Sequence, residues 1–455
     1  MAQRTSKELL KKLSQHSAID LARFIADLAA EDPSVARAAE LFLARDDAKV
    51  LAKTINSSIS GLKRSSRFVE YEDSDQMARK LHCILDSIER HLLGRDPVLA
   101  LRTLGTFIET DANIIGNADD SNGVIGDAYH RACMLLGRAS IAAGKPKEAE
   151  DVFLSLHDGN DYGTRDAMFD EAVNILSPDA VQRVVAAWRE RARGEDPMAS
   201  GGIRYRLSAL AESIGDPELN EEARLCGRPV EEFPLMAIEV ARVYLKCGKP
   251  EIALTKVPSE AACRHPDSRS AILTEIYSAL GNTAELAKVH WSDFAREARA
   301  EDARSYLDCL PETDHPAAMK RMRATVLAGE FTPLCKATYF ADMGDADTAA
   351  QIVESAPGTF ASEYYEGLLH LVKYLEAAHP LAATILHRAN FESLLAKNSS
   401  KYYLYAAQNA KKMAVLAPQV TDWKNIMPHE RYWQIVRQAN ARRRALWSAI
   451  EEAGV

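Results

Sequence analysis

The chain has 455 residues, 47% of them hydrophobic and 27% charged, with a net charge of −9. That is the balance of a soluble folded protein, long enough for two or three domains or for one continuous repeat array. The acidic total excludes broad, sequence-independent nucleic-acid binding over the whole surface, and no stretch approaches the roughly 20 apolar residues of a membrane span.

The start, MAQRTSKELLKKLSQ, is charged and helical, with no apolar run of signal-peptide length. Seven cysteines, scattered and odd in number, point to reduced thiols in a cytoplasmic protein rather than to a disulfide framework.

Residues 6–30 read as two short helices. Thr5 or Ser6 caps the first, with Leu9, Leu10 and Leu13 as its apolar stripe. Ser17 and Asp20 flank the start of the second, where Leu21, Phe24, Ile25 and Leu28 recur at helical spacing. Asp32-Pro33 ends it, because the residue before proline avoids the α region. A third helix spans 33–45, and a basic link, Lys63-Arg64-Ser65-Ser66-Arg67, reads as a solvated loop.

From residue 76 onward one phrase recurs: Gly, a polar residue, then a helix carrying Ala about five positions on. Gly144-Lys145-Pro146-Lys147-Glu148-Ala149 and Gly248-Lys249-Pro250-Glu251-Ile252-Ala253 are its clearest cases, with variants at Gly215, Gly281 and Gly344. Gly suits the left-handed end of one helix and Pro the first turn of the next. From 215 to 248 is 33 residues, and from 248 to 281 is 33 again; Ser177-Pro178 and His379-Pro380 stand where further turns fall due. A period near 34 with a helix–turn–helix unit is the mark of tetratricopeptide-like repeats, and strand signals are almost absent. The expected fold is therefore all-α: a solenoid of stacked antiparallel helix pairs.

Between the turns at Gly94 and Gly144 the rhythm breaks. The extra residues hold a polar insertion near 111–127, ending Asp119-Asp120-Ser121-Asn122-Gly123, with a helix from about Val124. As a calcium loop with Gly123 at the sixth position it fails: Ala118 and Tyr129 occupy the two positions that need carboxylates. Its Asp, Ser and Asn side chains read instead as helix caps. Cys263-Arg264-His265 is a lone CxH with too few ligands for a structural zinc, and reads as a buried thiol beside a helix-end histidine. No nucleotide, hydrolase or metalloprotease motif is present, so the residues predict no cofactor and support no reaction.

The charge is uneven. From His387 to Trp447 there are eleven Lys or Arg against three Asp or Glu, a net of +8, leaving about −17 elsewhere. Tyr364, Tyr365, Leu368, Leu371 and Leu375 keep helical spacing and read as core. Tyr402, Tyr403 and Tyr405 beside Lys397 and Lys401 can be read in two ways: packing of a terminal helix, or stacking on bases. Arg442, Arg443 and Arg444 are placed near the end of the final helix, where cations meet the helix dipole.

Three segments resemble a known family. They are Phe68-Val69-Glu70-Tyr71 with the helix after it, Asp119 through Asp127, and Ser400-Lys401-Tyr402-Tyr403 through Asp422-Trp423, His429, Tyr432 and Arg442 to Trp447. Together they look like the uncharacterised helical region that follows the SWIM zinc finger in many bacterial proteins and also occurs without it. A SWIM finger needs CxC followed by CxH, and only the isolated CxH exists here, so its zinc-dependent contact does not carry over. What the resemblance implies is the part that holds partners.

The organisation expected is an N-terminal helical segment (1–66), a repeat solenoid (67–386) and a basic aromatic helical cap (387–455). The function expected is a non-catalytic scaffold or adaptor for a protein or peptide. A nucleic-acid-associated protein using the basic end is the alternative, and an enzyme with an unrecognised site the second alternative. Candidate binding residues are Asp119, Asp120, Asn122 and Asp127 in the insertion, and Lys401, Tyr402, Tyr405, Arg442, Arg443 and Arg444 at the basic end.

Overall fold

The structure, a computed structural model, describes residues 9, 11–64, 68–156, 160, 162–194, 197–362 and 365–455. The cap and start of the expected first helix (Thr5, Ser6, Leu10), part of the basic link (Ser65 to Arg67) and Tyr364 lie outside the described residues. The chain divides into two compact units, Met1–Lys249 and Pro250–Val455.

Unit 1 contains α1 (Ala18–Glu31), α2 (Pro33–Ala44), α3 (Ala48–Lys63), α4 (Ser74–Ser87), α5 (Pro97–Ile108), α6 (Asp111–Ile115), α7 (Val124–Ala142), α8 (Lys147–Leu156), α9 (Ala167–Asp170), α10 (Ala172–Ile175), α11 (Pro178–Gly194), α12 (Pro197–Ile214), α13 (Pro217–Leu225) and α14 (Pro234–Lys246). Unit 2 contains α15 (Pro250–Thr255), α16 (Pro266–Ala279), α17 (Thr283–Glu297), α18 (Ala300–Asp308), α19 (His315–Ala328), α20 (Pro333–Asp342), α21 (Ala346–Ser355), α22 (Tyr365–Leu375), α23 (Pro380–Ala396), α24 (Tyr403–Leu416), α25 (His429–Ala439) and α26 (Arg444–Glu452). Among the described residues there is no strand, only an isolated bridge between Val69 and Ala118. Within each unit helices pack on their chain neighbours: α11 on α12, α12 on α13 and α13 on α14, then α16 on α17, α20 on α21 and α23 on α24. This is the stacking of an all-α helical-repeat solenoid.

The turns follow from local chemistry. Gly144, Gly215, Gly248, Gly281 and Gly344 all adopt positive φ, between 63° and 84°. At Gly248 a Cβ would meet nothing within 4 Å, so it is the backbone conformation alone that favours glycine there. Five positions on, Ala149, Ala253 and Ala349 are each fully buried, which explains the recurring alanine: only a small side chain fits where the new helix meets its neighbours. Caps are local too. Ser17 accepts from the Asp20 amide, and Asp32 is extended (φ −122°, ψ 110°), ending α1 as the Asp-Pro pair predicts.

Helix α3 is absent from the sequence reading, which passes from residue 45 straight to the basic link. Its segment is rich in Val, Thr, Ile, Ser and Gly, all modest or poor helix formers. Burial decides the matter: Leu51, Ile55 and Ile59 are 0–2% exposed, and Asp47 caps the helix through the Lys49 and Val50 amides.

The core of unit 1 includes Phe153, Phe169 and Trp188, with Phe153 edge-on to Phe169 at 5.9 Å and Phe169 to Trp188 at 6.1 Å. In unit 2, Leu368, Leu371 and Leu375 are fully buried, as their spacing predicts. Helix α23 is covered on every side over its first three turns: all residues from Leu381 to Phe391 are buried, including the polar Thr384, His387, Arg388 and Asn390.

Candidate functional site

The insertion is a cap built on a backbone bridge. Val69 donates its N–H to the Asn117 carbonyl (2.9 Å) and accepts from the Asp119 N–H (2.8 Å). Two segments far apart in sequence, at Phe68–Tyr71 and Asp119–Asp127, are thereby joined. Asp120 spends both carboxylate oxygens on α7, accepting from the Ile125 amide at 2.9 Å and the Gly126 amide at 2.8 Å. Asp119 accepts from the Ser121 amide, and Asn122 donates to the Ser74 hydroxyl at 3.0 Å. Asp127 lies exposed in the first turn of α7, where its charge faces the positive end of the helix dipole.

The basic end is also largely occupied with its own chain. Lys397 and Lys401 both sit over the Tyr402 ring, at 4.7 and 4.9 Å. Tyr402 and Tyr403 pack against the core formed by α23, α24, α25 and α26, whereas Tyr405 is exposed. Lys412 pairs with Glu376, Lys424 with Glu354, and Arg437 lies over Trp447.

The arginine triplet corrects the sequence reading. It precedes the last helix: Arg442 and Arg443 form the turn after α25, and Arg444 opens α26. The dipole there opposes cations, so it cannot account for them. Arg443 instead serves the end of another helix, donating to the Leu395 carbonyl (3.0 Å) and to Asn398 Oδ1 (2.7 Å) beyond α23. It thus holds the C-terminal end of α23.

Arg388, one of the eleven cations of the basic end, is buried. Its guanidinium lies 4.3 Å from the Tyr432 ring centre and 5.1 Å from that of Trp423, and donates to the Met427 carbonyl at 2.7 Å. Burial lowers its pKa from the ordinary arginine value. Burial, reinforced by Arg388, holds His429 below the ordinary histidine value, and burial pushes the Tyr432 phenol up. Trp423, His429 and Tyr432 stand together in the third family-like segment, which was the one signal available for this cluster. It is an aromatic box packed around a buried arginine, with Trp423 and His429 half-exposed at its side.

Open surfaces lie in unit 1. A groove of about 600 Å³ runs between α10, α11 and α13, floored by Leu176, Val181, Val185 and Leu219, with Lys145 and Arg189 at its edge. A second, of about 580 Å³, lies between α2, α3 and α4. No single helix segment discloses either groove, because each is assembled from three helices. Neither lining brings together a nucleophile, a base and a site for developing charge. Among the described residues no three His, Cys, Asp or Glu side chains converge on a metal position, and no helix is long and apolar enough to cross a membrane. The Cys263 thiol donates to the His265 carbonyl at 3.3 Å.

A family model described as a family of unknown function (DUF6880) matches residues 5–449. The chain belongs to the DUF6880 family. The match takes in the insertion, the arginine box and both grooves, so all of them lie within the DUF6880 region. No curated protein and no solved structure matches the chain.

Proposed function

We propose that this DUF6880 chain is a non-catalytic helical-repeat scaffold that seats a protein or peptide partner in the groove between α10, α11 and α13. The groove itself carries the reading: an apolar floor of four aliphatic side chains, Val181 and Val185 from α11, Leu219 from α13 and Leu176 just beyond α10, edged by Lys145, Arg189 and Asp216. An apolar strip gives affinity, while flanking charges set register and orientation. Stacked helix pairs generate extended surfaces of this kind. The tetratricopeptide-like spacing near 34 residues and the resemblance to the region following SWIM fingers support the same reading.

The test is affinity purification of the tagged chain from its native host, with and without nuclease, beside a Val173→Glu/Ala186→Glu variant. Both positions line the groove and are exposed, so the variant changes the surface without entering the core. A stoichiometric protein that survives nuclease and is lost from the variant supports the scaffold. Partners released by nuclease move nucleic acid and the basic C-terminal end to first place. A partner held equally by the variant rejects this groove.

A further inference from the structure

We infer that the second groove of unit 1 receives helix α1 of a second copy of this chain, and reciprocally, giving a closed two-fold dimer. The two surfaces are complementary in shape class and in charge. Helix α1 has no buried residue along its 14 positions. Its apolar stripe is left open within its own chain: Phe24 is 54% exposed, Ile25 46% and Leu28 37%. An amphipathic helix with this stripe normally buries it. Along one edge of the stripe run Asp20, Asp27 and Glu31, at i, i+7 and i+11, on adjoining positions of one helical face. None of the three has an ion-pair partner among the described residues.

The groove between α2, α3 and α4 is the counterpart. Its floor is Val35, Ala38, Leu62 and Ile84, and its rim is Arg37, Arg79 and Lys80, with no carboxylate anywhere in the lining. Arg37 reaches the Ser58 hydroxyl at 2.6 Å and Glu40 at 3.6 Å; Arg79 and Lys80 are exposed and have no ion-pair partner among the described residues. Helix α1 contributes no residue to this groove in its own chain. An acidic amphipathic helix is the ligand such a surface fits, and unit 1 displays one. Because each copy carries both the helix and the groove, two equivalent seatings close the assembly and leave no open end for further addition.

The decisive experiment uses two full-length charge-reversal variants and measures mass by sedimentation velocity. The first, Asp20→Lys/Asp27→Lys/Glu31→Lys, reverses the helix. The second, Arg79→Glu/Lys80→Glu, reverses the groove. All five positions are exposed, and circular dichroism confirms that each variant keeps its fold. The unaltered 50.2 kDa chain is expected to sediment as two copies, dissociating on dilution, and each variant as one copy. Mixed in equal amounts, the two variants are expected to pair, since a basic helix then meets an acidic groove and an acidic helix a basic one. A single-copy mass for the unaltered chain at every concentration overturns the proposal. So does a dimer that either variant leaves intact, or a mixture that stays monomeric. The readout needs only purified chain, so it is independent of the partner groove at α11.

Discussion

Arg165 and Asp111 form a buried, two-pronged ion pair. Arg165 Nε donates to Asp111 Oδ2 at 2.8 Å and Nη2 to Oδ1 at 2.6 Å, with side chains 6% and 2% exposed. The Thr164 hydroxyl and the Ala112 amide also donate to the carboxylate, and Arg165 Nη1 donates to the Leu156 carbonyl at 2.7 Å. The pair therefore ties the short helix α6, inside the polar insertion, to the end of α8. Replacing one partner strands the other charge without water. Arg165→Met or Asp111→Leu is expected to cost about 3–5 kcal/mol, and the double Asp111→Leu/Arg165→Met variant less than the sum of these singles. Urea unfolding of the four proteins checks this; additive losses would show the two groups acting separately.

Arg388 contrasts with Arg165. Only its Met427 contact is a direct hydrogen bond, while Nε and Nη2 are buried without a partner among the described residues. The desolvation cost is then poorly offset. Arg388→Met keeps the stem volume against Trp423 and Tyr432, and is expected to change stability by no more than about 1 kcal/mol in either direction. Tyr432→Ala opens the box and is expected to cost about 3 kcal/mol or more. Thermal melts of the two variants separate the contribution of packing from that of charge.

His387 and His429 give unit 2 a pH dependence. Burial lowers the pKa of His387, whose Nδ1 meets Asn409 Oδ1 at 2.9 Å, and burial followed by Arg388 lowers that of His429. A histidine whose folded pKa lies below its unfolded value, about 6.5, binds more protons when unfolded. Stability therefore rises with pH through the interval between the two values and is lost as pH falls below about 6.5. Melting temperature against pH should show the drop, and His429→Gln should flatten part of it. An unchanged slope in that variant would remove His429 from the account.

Two helix glycines should respond to alanine with opposite signs. At Gly105, buried in α5, a Cβ would lie 3.0 Å from Val152 Cγ1, a stiff β-branched neighbour on α8. At Gly201 in α12 it would meet nothing within 4 Å. Gly201→Ala is expected to gain up to about 1 kcal/mol from helix propensity. Gly105→Ala is expected to lose stability, the crowding outweighing the same gain. Chemical denaturation of both variants reads the signs.

What could be read from the sequence was what neighbouring residues decide among themselves. The turns at Gly144, Gly215, Gly248, Gly281 and Gly344, the extended Asp32 before Pro33, and the start of α7 at Val124 are all set within a few residues. The capping role of Asp120 belongs with them. Helix α3 was hidden because its local preferences oppose its state, and contacts from other helices overrule them. The arginine triplet was misplaced for a related reason: Arg442 to Arg444 look helical, but α25 ends at Ala439, and the Trp447 indole donates to the Asn440 carbonyl at 2.9 Å across the break. Net charge misled most at Arg388 and Arg443, since a count over residues cannot distinguish a solvated cation from one spent on a carbonyl. The grooves had no sequence signature at all.

Helix α23, enclosed from Leu381 to Phe391, sets the order in which unit 2 can come apart. From Leu381 to Phe391 it is shielded behind α21, α22 and α24, so the exchange of these central amides with deuterium is expected to await opening of the unit as a whole. Ending the chain at residue 386 would divide this helix between Leu386 and His387 and leave half of it without its covering partners. The basic C-terminal end is thus inseparable from the interior it covers, and its contacts are accessible to point substitution but not to deletion.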